Sequence, residues 1–204
     1  MPTKKLQQII LIQFILVSFF VQPFAGKAQN FDINLLKKIN PDSPAHLSNY
    51  WKQTSNSAYW LPTALTLGQL GYGFIQNDVN AKRGGVEMAI SIGIGQLFSN
   101  GLKYTINRPR PYQSWPNDIN PVNFTPNYSF PSGHTDVAFA TAAAFSYAHP
   151  QLYIAIPINA WAGSVGYSRM YLGRHYPTDV VSGMVIGIIS GVLGHWVTKS
   201  IYKE

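Results

Sequence analysis

Apolar residues fall into a series of stretches along the chain, and polar, proline-bearing segments separate them. The first stretch, 6–25, follows Lys4 and Lys5 and runs into the small-residue segment Gly26-Lys27-Ala28. A basic start, an apolar centre and a small-residue cleavage site predict a secretory leader over 1–28, removed before Gln29. The alternative is an uncleaved first membrane helix, since the stretch is almost long enough to span. Either way the chain leaves the cytoplasm. Residues 29–56 are polar with scattered apolar anchors. They predict an N-terminal arm on the domain surface, with a short amphipathic helix over 31–39 stopped by Asn40-Pro41.

The remainder, 57–204, reads as one catalytic domain. Apolar segments 58–75 and 85–102 are rich in Gly, Ala, Leu and Ile, and three more follow at 135–148, 152–167 and 178–199. Their small residues permit close helix contact, and the pattern predicts an all-α bundle of five to six helices. Glu87, Gln96 and Asn100 make 85–102 a poor stand-alone membrane span. Between the second and third of these helices, 103–134 is proline-rich and has no sustained periodicity. Ordered loops of that length inside a compact domain are usually functional. His149-Pro150 marks a tight turn, His195 falls deep in the last helix as a core or interface residue, and His46 lies exposed in the arm. If every apolar segment crosses a bilayer with the amino terminus inside, the loops near 103–134 and 168–177 share the outer face. Lys82, Arg83, Lys199 and Lys203 then fall inside, as the positive-inside rule requires. A soluble bundle with the same hairpins would alternate its loops in the same way.

Composition narrows the class. Hydrophobic residues make up 46% of the chain and charged residues only 11%, against about 25% charged in an average soluble protein. A net charge of +7, partly carried by the leader lysines, is too mild to argue for a nucleic-acid partner, and no basic run with interleaved aromatics occurs. The absence of cysteine excludes disulfides, thiolate catalysis and cysteine-rich metal sites. The arginines say more than the total: four of the five (Arg108, Arg110, Arg169, Arg174) lie in two short segments. That concentration points to anion recognition.

Three clusters carry the candidate chemistry. Lys103 and Arg110-Pro111 leave the second apolar helix, Pro131-Ser132-Gly133-His134 opens the third, and Ser168-Arg169, His175 and Asp179 lead into the fifth. Pro177 suits the first turn of a helix, which puts His175 at its mouth and Asp179 one turn on. At that spacing a carboxylate can hold one imidazole nitrogen and leave the other free. Helix amino termini attract anions, Gly133 allows close backbone approach, and Ser132 can donate from hydroxyl and amide together. Lysine and arginine neutralise phosphate oxygens. The chemistry is then phosphoryl transfer: Lys103, Arg110, Ser132, Gly133 and Arg169 bind the phosphate and His175, oriented by Asp179, attacks. His134 protonates the leaving oxygen and afterwards activates water against the phosphohistidine. No metal or other cofactor enters the scheme.

The pattern Lys-x6-Arg-Pro, Pro-Ser-Gly-His, Ser-Arg-x5-His-x3-Asp resembles that of the type-2 phosphatidic acid phosphatase and vanadium haloperoxidase superfamily. It stands complete here over roughly 85–199, with Arg108 and Arg174 outside the motif as flanking charge. The resemblance implies an all-helical phosphatase with these residues in the roles given. Its substrate would be a phosphorylated lipid (phosphatidic acid, phosphatidylglycerol phosphate, an isoprenyl diphosphate or phosphorylated lipid A) or a small phosphate ester, and its place the periplasmic side of the cell envelope, on the membrane. The alternatives are a soluble periplasmic acid phosphatase and a vanadate-dependent haloperoxidase, the latter disfavoured by the short chain. An acyl hydrolase lacks its Gly-x-Ser-x-Gly elbow. A metal site built from His134, His175 and Asp179 would be repelled by the surrounding cations.

Overall fold

The computed structural model describes residues 25–42 and 47–202; most of the expected leader, and His46, lie outside them. The described residues form six long helices and one single-turn helix: α1 (Ala25–Ile39), α2 (Ser48–Ile75), α3 (Val79–Ile106), α4 (Pro111–Ser114), α5 (Gly133–Ala148), α6 (Leu152–Tyr171) and α7 (Pro177–Ile201). Among the described residues there is no strand, so the all-α bundle is as expected. α7 lies against α5 and α3, α3 also meets α2 and α5, and α6 closes the bundle on α5 and α2.

Small residues make these contacts. Along α7, Gly183, Gly187 and Gly191 face α5, and Gly194 faces Ser91 of α3. At Gly187 a Cβ would stand 2.4 Å from the Asp136 carbonyl oxygen and 2.8 Å from the Ala140 nitrogen. The two backbones touch, and dispersion along that seam replaces the large side chains that a soluble core would use. The large apolar side chains point outward instead. Leu67, Leu97, Phe98, Leu152, Ile156, Ile188, Ile189, Trp196 and Val197 are all exposed. By length and composition α7 is the one described helix apolar enough to cross a membrane.

Helix ends differ from the expected ones for local reasons. α2 starts at Ser48, ten residues before the apolar stretch and inside the expected arm. Its first turns are polar because their inward positions are Ser55 and Ser57, which pair with Arg169 and Trp161 rather than with an apolar core. The expected loop 76–84 shrinks to a turn at 76–78, because Asp78 caps α3 by accepting from the Asn80 and Ala81 amides at 2.9 and 3.1 Å. α3 runs on to Ile106 and stops at Asn107 in the left-handed conformation (φ 52°). α6 likewise runs to Tyr171 and ends in a turn at Gly173 with φ +66°. α1 reaches back from the expected 31–39 to Ala25. Its Ile33 and Leu36 bury against Tyr112, Ile119 and Tyr176, so the helix sits on the long loop and the start of α7. Asn40 fixes its end by donating to the Asn120 and Tyr171 carbonyls at 3.0 and 2.9 Å.

Candidate active site

The up-and-down connectivity brings the end of α3, the start of α5, the end of α6 and the start of α7 to one end of the bundle, with the long loop folded over them. All eight residues singled out in the sequence lie there. The centre is His175, which is 2% exposed. Its Nε2 is 3.2 Å from Arg110 Nη1. A guanidinium is a donor only, so Nε2 must be the accepting nitrogen and the imidazole proton must sit on Nδ1. The lone pair at Nε2 therefore faces the cationic side of the site. Burial drives the His175 pKa well below its ordinary value, and the charges of Arg169, Arg110 and Lys103 push it further down. The ring is neutral across the physiological range.

The cations that surround it are held in a particular manner. Arg110 donates from Nε to the Asn127 carbonyl and from Nη1 to the Arg174 carbonyl, both at 2.8 Å. Lys103 donates to the Pro131 and Tyr128 carbonyls at 3.1 and 3.3 Å. Arg169 donates to the Ser55 hydroxyl at 2.5 Å, and its Nε is buried with no partner. Every one of these acceptors is neutral. They orient the cations without cancelling them, so three buried positive charges converge on one small volume unbalanced. Burial accordingly lowers the Arg110 pKa, and Arg174 adds to the effect. Such a cluster is costly unless an anion occupies it.

Arg108 is the contrast. Its Nη1 donates to Asp179 Oδ1 at 2.7 Å and its Nη2 to Asp32 Oδ2 at 2.8 Å, while the guanidinium stacks 3.9 Å from the Tyr176 ring centroid. Burial opposes its charge, but the two carboxylates outweigh burial and raise its pKa. Arg108 is spent on Asp179 and is no phosphate ligand.

Asp179 differs from expectation. The expected hydrogen bond to the imidazole is absent: Oδ2 is 3.5 Å from His175 Nδ1, beyond hydrogen-bond range. The reason is saturation. Oδ1 takes Arg108, and Oδ2 takes the Ser129 hydroxyl and the Tyr176 amide (2.9 Å). Asp179 acts on Nδ1–H through its charge and is itself held by three groups. Ser132 also departs from expectation: its amide donates to the Asp179 carbonyl at 3.0 Å and its hydroxyl pairs with Thr135 at 2.8 Å. Its amide is engaged, either hydroxyl of the pair can be the donor, and the residue staples the starts of α5 and α7. The Gly133 N–H, one of the first-turn amides that a helix leaves unpaired, remains at the mouth of α5. His134 is half-buried, and Tyr59 of α2 packs edge-on against it at 4.6 Å.

Sequence reasoning missed Asp32, Ser129 and Thr178. Asp32 is 1% exposed and accepts from the Thr178 hydroxyl at 2.5 Å and the Thr178 amide at 3.1 Å, besides Arg108. Its one visible signal was a lone acid opposite apolar anchors in the arm, which nothing in the sequence connects to 108 or 178. The other histidines fall outside the site: His149 caps α5 beside Gln69, and His195 pairs with Glu87 at 3.1 Å between α3 and α7.

Comparisons with known proteins bear on the family and the fold. The family model described as the PAP2 superfamily matches residues 84–202. A lipid A 1-phosphatase from Porphyromonas gingivalis is 28% identical over 162 residues, 76% of this chain and 33% of its own, so the chain spans about a third of that relative's length. An undecaprenyl-diphosphatase from Sulfolobus acidocaldarius is 27% identical over 188 residues, 88% of this chain and 84% of its own. The crystal structure of a transmembrane PAP2-type phosphatidylglycerolphosphate phosphatase from Bacillus subtilis superposes with a TM-score of 0.71 at 23% identity, covering 94% of each chain. That last likeness establishes the fold.

Proposed function

The chain belongs to the PAP2 superfamily, and from that premise we propose that it is a membrane-associated phosphatase of phosphorylated lipids that works through a phosphohistidine and without a metal. The observation that carries the reading is the trio of Lys103, Arg110 and Arg169, held by neutral acceptors around a neutral, inward-facing His175 Nε2. A phosphate entering that volume meets three uncompensated cations and the Gly133 amide, and it takes over the Arg110 contact that occupies Nε2. His175 attacks the phosphorus; as the bond forms, positive charge develops on the ring and Asp179, 3.5 Å from Nδ1, stabilises it. His134 gives a proton to the leaving oxygen, then draws one from the water that cleaves the phosphorus–nitrogen bond. Phosphate leaves and His175 returns neutral.

The exposed apolar surface and the relatives' printed substrates support a lipid substrate over a soluble ester. Candidates are phosphatidic acid, phosphatidylglycerol phosphate, an isoprenyl diphosphate and a lipid A phosphate. Export and an outward-facing site belong to the same proposal. The basic residues Lys82 and Lys199 lie at the opposite end of the bundle from the motif loops, which suits a site on the outer face. The test is phosphate release in EDTA from para-nitrophenyl phosphate, a short-chain phosphatidic acid and an isoprenyl diphosphate, by protein extracted with detergent. Release from the lipids, abolished in His175→Ala while the variant still binds phosphate, is the expected result. Release from the soluble ester alone by protein that needs no detergent would replace the membrane reading, and normal turnover by His175→Ala would overturn the mechanism.

A further inference from the structure

The two histidines of the site are held in different ways. His175 is fixed at Nε2 by Arg110, 3.2 Å away. His134 has no such bond: among the described residues no side chain or backbone group hydrogen-bonds to its ring. The second torsion of a histidine side chain is broad and roughly two-fold, so backbone position alone does not set the ring plane. A general acid must nevertheless bring one nitrogen within about 3 Å of the leaving oxygen. For His134 that orientation has to come from packing.

The ring that packs on it is Tyr59, with centroids 4.6 Å apart and planes inclined by 71°. Near-perpendicular contact is a favoured geometry for an aromatic pair. The backbone beneath Tyr59 is firmly mounted. One turn earlier on the same face of α2, Ser55 accepts from Arg169 at 2.5 Å. Ser57 takes the Trp161 indole N–H at 2.8 Å, and the buried Ala58 packs in one cluster with Ala138 of α5, one turn beyond His134. α2 is thus locked to the helices that carry His134 and Arg169 immediately before Tyr59. The Tyr59 side chain itself is 64% exposed, so the bundle does not depend on its bulk. It also lies outside residues 84–202, the span of the family model, and belongs to none of the three motifs.

We propose that Tyr59 is a positioning residue for proton transfer: its ring holds the His134 imidazole in the plane from which it protonates the leaving oxygen. The proposal rests on the phosphatase reading and adds to it a residue from a helix that carries no motif. The competing role for an exposed tyrosine, here beside an equally exposed Trp60, is that of an interfacial anchor. An anchor acts on every substrate alike. A residue that orients the acid acts only where the leaving group needs a proton.

Tyr59→Leu removes the ring and Tyr59→Phe keeps it, and with the side chain exposed both variants should melt with the wild type. The assay measures kcat/KM in detergent for para-nitrophenyl phosphate and benzyl phosphate, esters of similar size whose leaving groups differ in their need for a proton. This parameter covers the steps up to departure of the leaving group and is blind to later hydrolysis of the phosphohistidine. Tyr59→Leu should lower it about three- to tenfold for benzyl phosphate. For para-nitrophenyl phosphate it should stay within about twofold of the wild type. Tyr59→Phe should behave as the wild type on both. In a His134→Ala background, Tyr59→Leu should cost nothing further on benzyl phosphate or on a short-chain phosphatidic acid, because the group it positions is gone. Equal falls on the two soluble esters would make Tyr59 an anchor or a substrate contact. A Tyr59→Phe variant as impaired as Tyr59→Leu would assign the role to the hydroxyl, and a further loss in the His134→Ala background would place its action elsewhere. Each of these overturns the proposal, as would an unchanged Tyr59→Leu. A wild-type protein that released phosphate from none of the three substrates would instead defeat the phosphatase reading itself.

Discussion

Asp32→Asn is the perturbation that best separates a positioning network from a packing contact. Asp32 belongs to α1, outside the span matched by the family model, yet it shares Arg108 with Asp179. The substituted amide can still accept from the Thr178 amide through its one oxygen and donate from its NH2 to the Thr178 hydroxyl, so α1 stays docked by those bonds and by Ile33 and Leu36. What changes is Arg108. With Asp32 neutral, the guanidinium's whole charge falls on Asp179 and its second arm loses its anchor. The most that can be lost is the interaction of Asp179 with the charge that develops on His175. At 3.5 Å and an effective dielectric of about 20 that amounts to about 5 kcal/mol, or more than three orders of magnitude in rate. Asp179→Asn should approach that limit. For Asp32→Asn the bound is one charge-assisted hydrogen bond, about 1.5–3 kcal/mol, which corresponds to a kcat lowered roughly 10- to 100-fold. KM should stay within about threefold, because Lys103, Arg110 and Arg169 do not touch Asp32 and phosphate binding depends on them. The measurement is steady-state hydrolysis of para-nitrophenyl phosphate and a short-chain phosphatidic acid by detergent-purified protein, with melting temperatures alongside. Asp32→Ala, which also loses the Thr178 bonds, should lose both kcat and stability. If Asp32→Asn kept kcat within twofold of the wild type at an unchanged melting temperature, Asp32 would be an anchor for α1 and the coupling through Arg108 would be wrong.

Three further outcomes are expected. His134→Ala should lower turnover of alkyl phosphates about a hundredfold or more while sparing para-nitrophenyl phosphate, whose leaving group needs no proton; equal losses on both would remove His134 from the acid role. The folded chain resists protonation at His175, whereas the unfolded chain takes up that proton near pH 6.5. Stability should therefore decline as pH falls below about 6.5, and His175→Asn should flatten that dependence, as melts from pH 7.5 to 5 would reveal. Gly187→Ala sets a methyl against the α5 backbone, which cannot yield as a side chain would. A cost of about 1–3 kcal/mol should lower the melting temperature by several degrees, and an unchanged melt would mean that α5 and α7 are looser than their contact implies.

What could be read from the sequence follows from how each feature is encoded. The three motifs are local, and each sits at a helix boundary marked by proline or glycine, so the sequence alone assigned them to one end of the bundle. The start of α2 was hidden because its buried face is Ser55, Ser57 and Ala58 rather than leucine and valine. A helix that buries hydroxyls against arginine and tryptophan shows no apolar period to find. The imidazole–carboxylate spacing, four residues over a helical turn, was right as far as spacing goes and still gave the wrong bond. Spacing brought Asp179 within 3.5 Å of His175; it could not show that Arg108, Ser129 and the Tyr176 amide would fill the carboxylate first. Three of the arginines illustrate the same limit. In a one-dimensional reading Arg108 and Arg174 look alike, as flanking charge beside the motif residue Arg110. In the fold they divide by the partner each finds: two carboxylates for Arg108, neutral carbonyls for Arg110, and a carboxamide for the side chain of Arg174. Which cation is free to bind an anion is therefore decided by residues as distant as Asp32, which only the tertiary structure brings to the site.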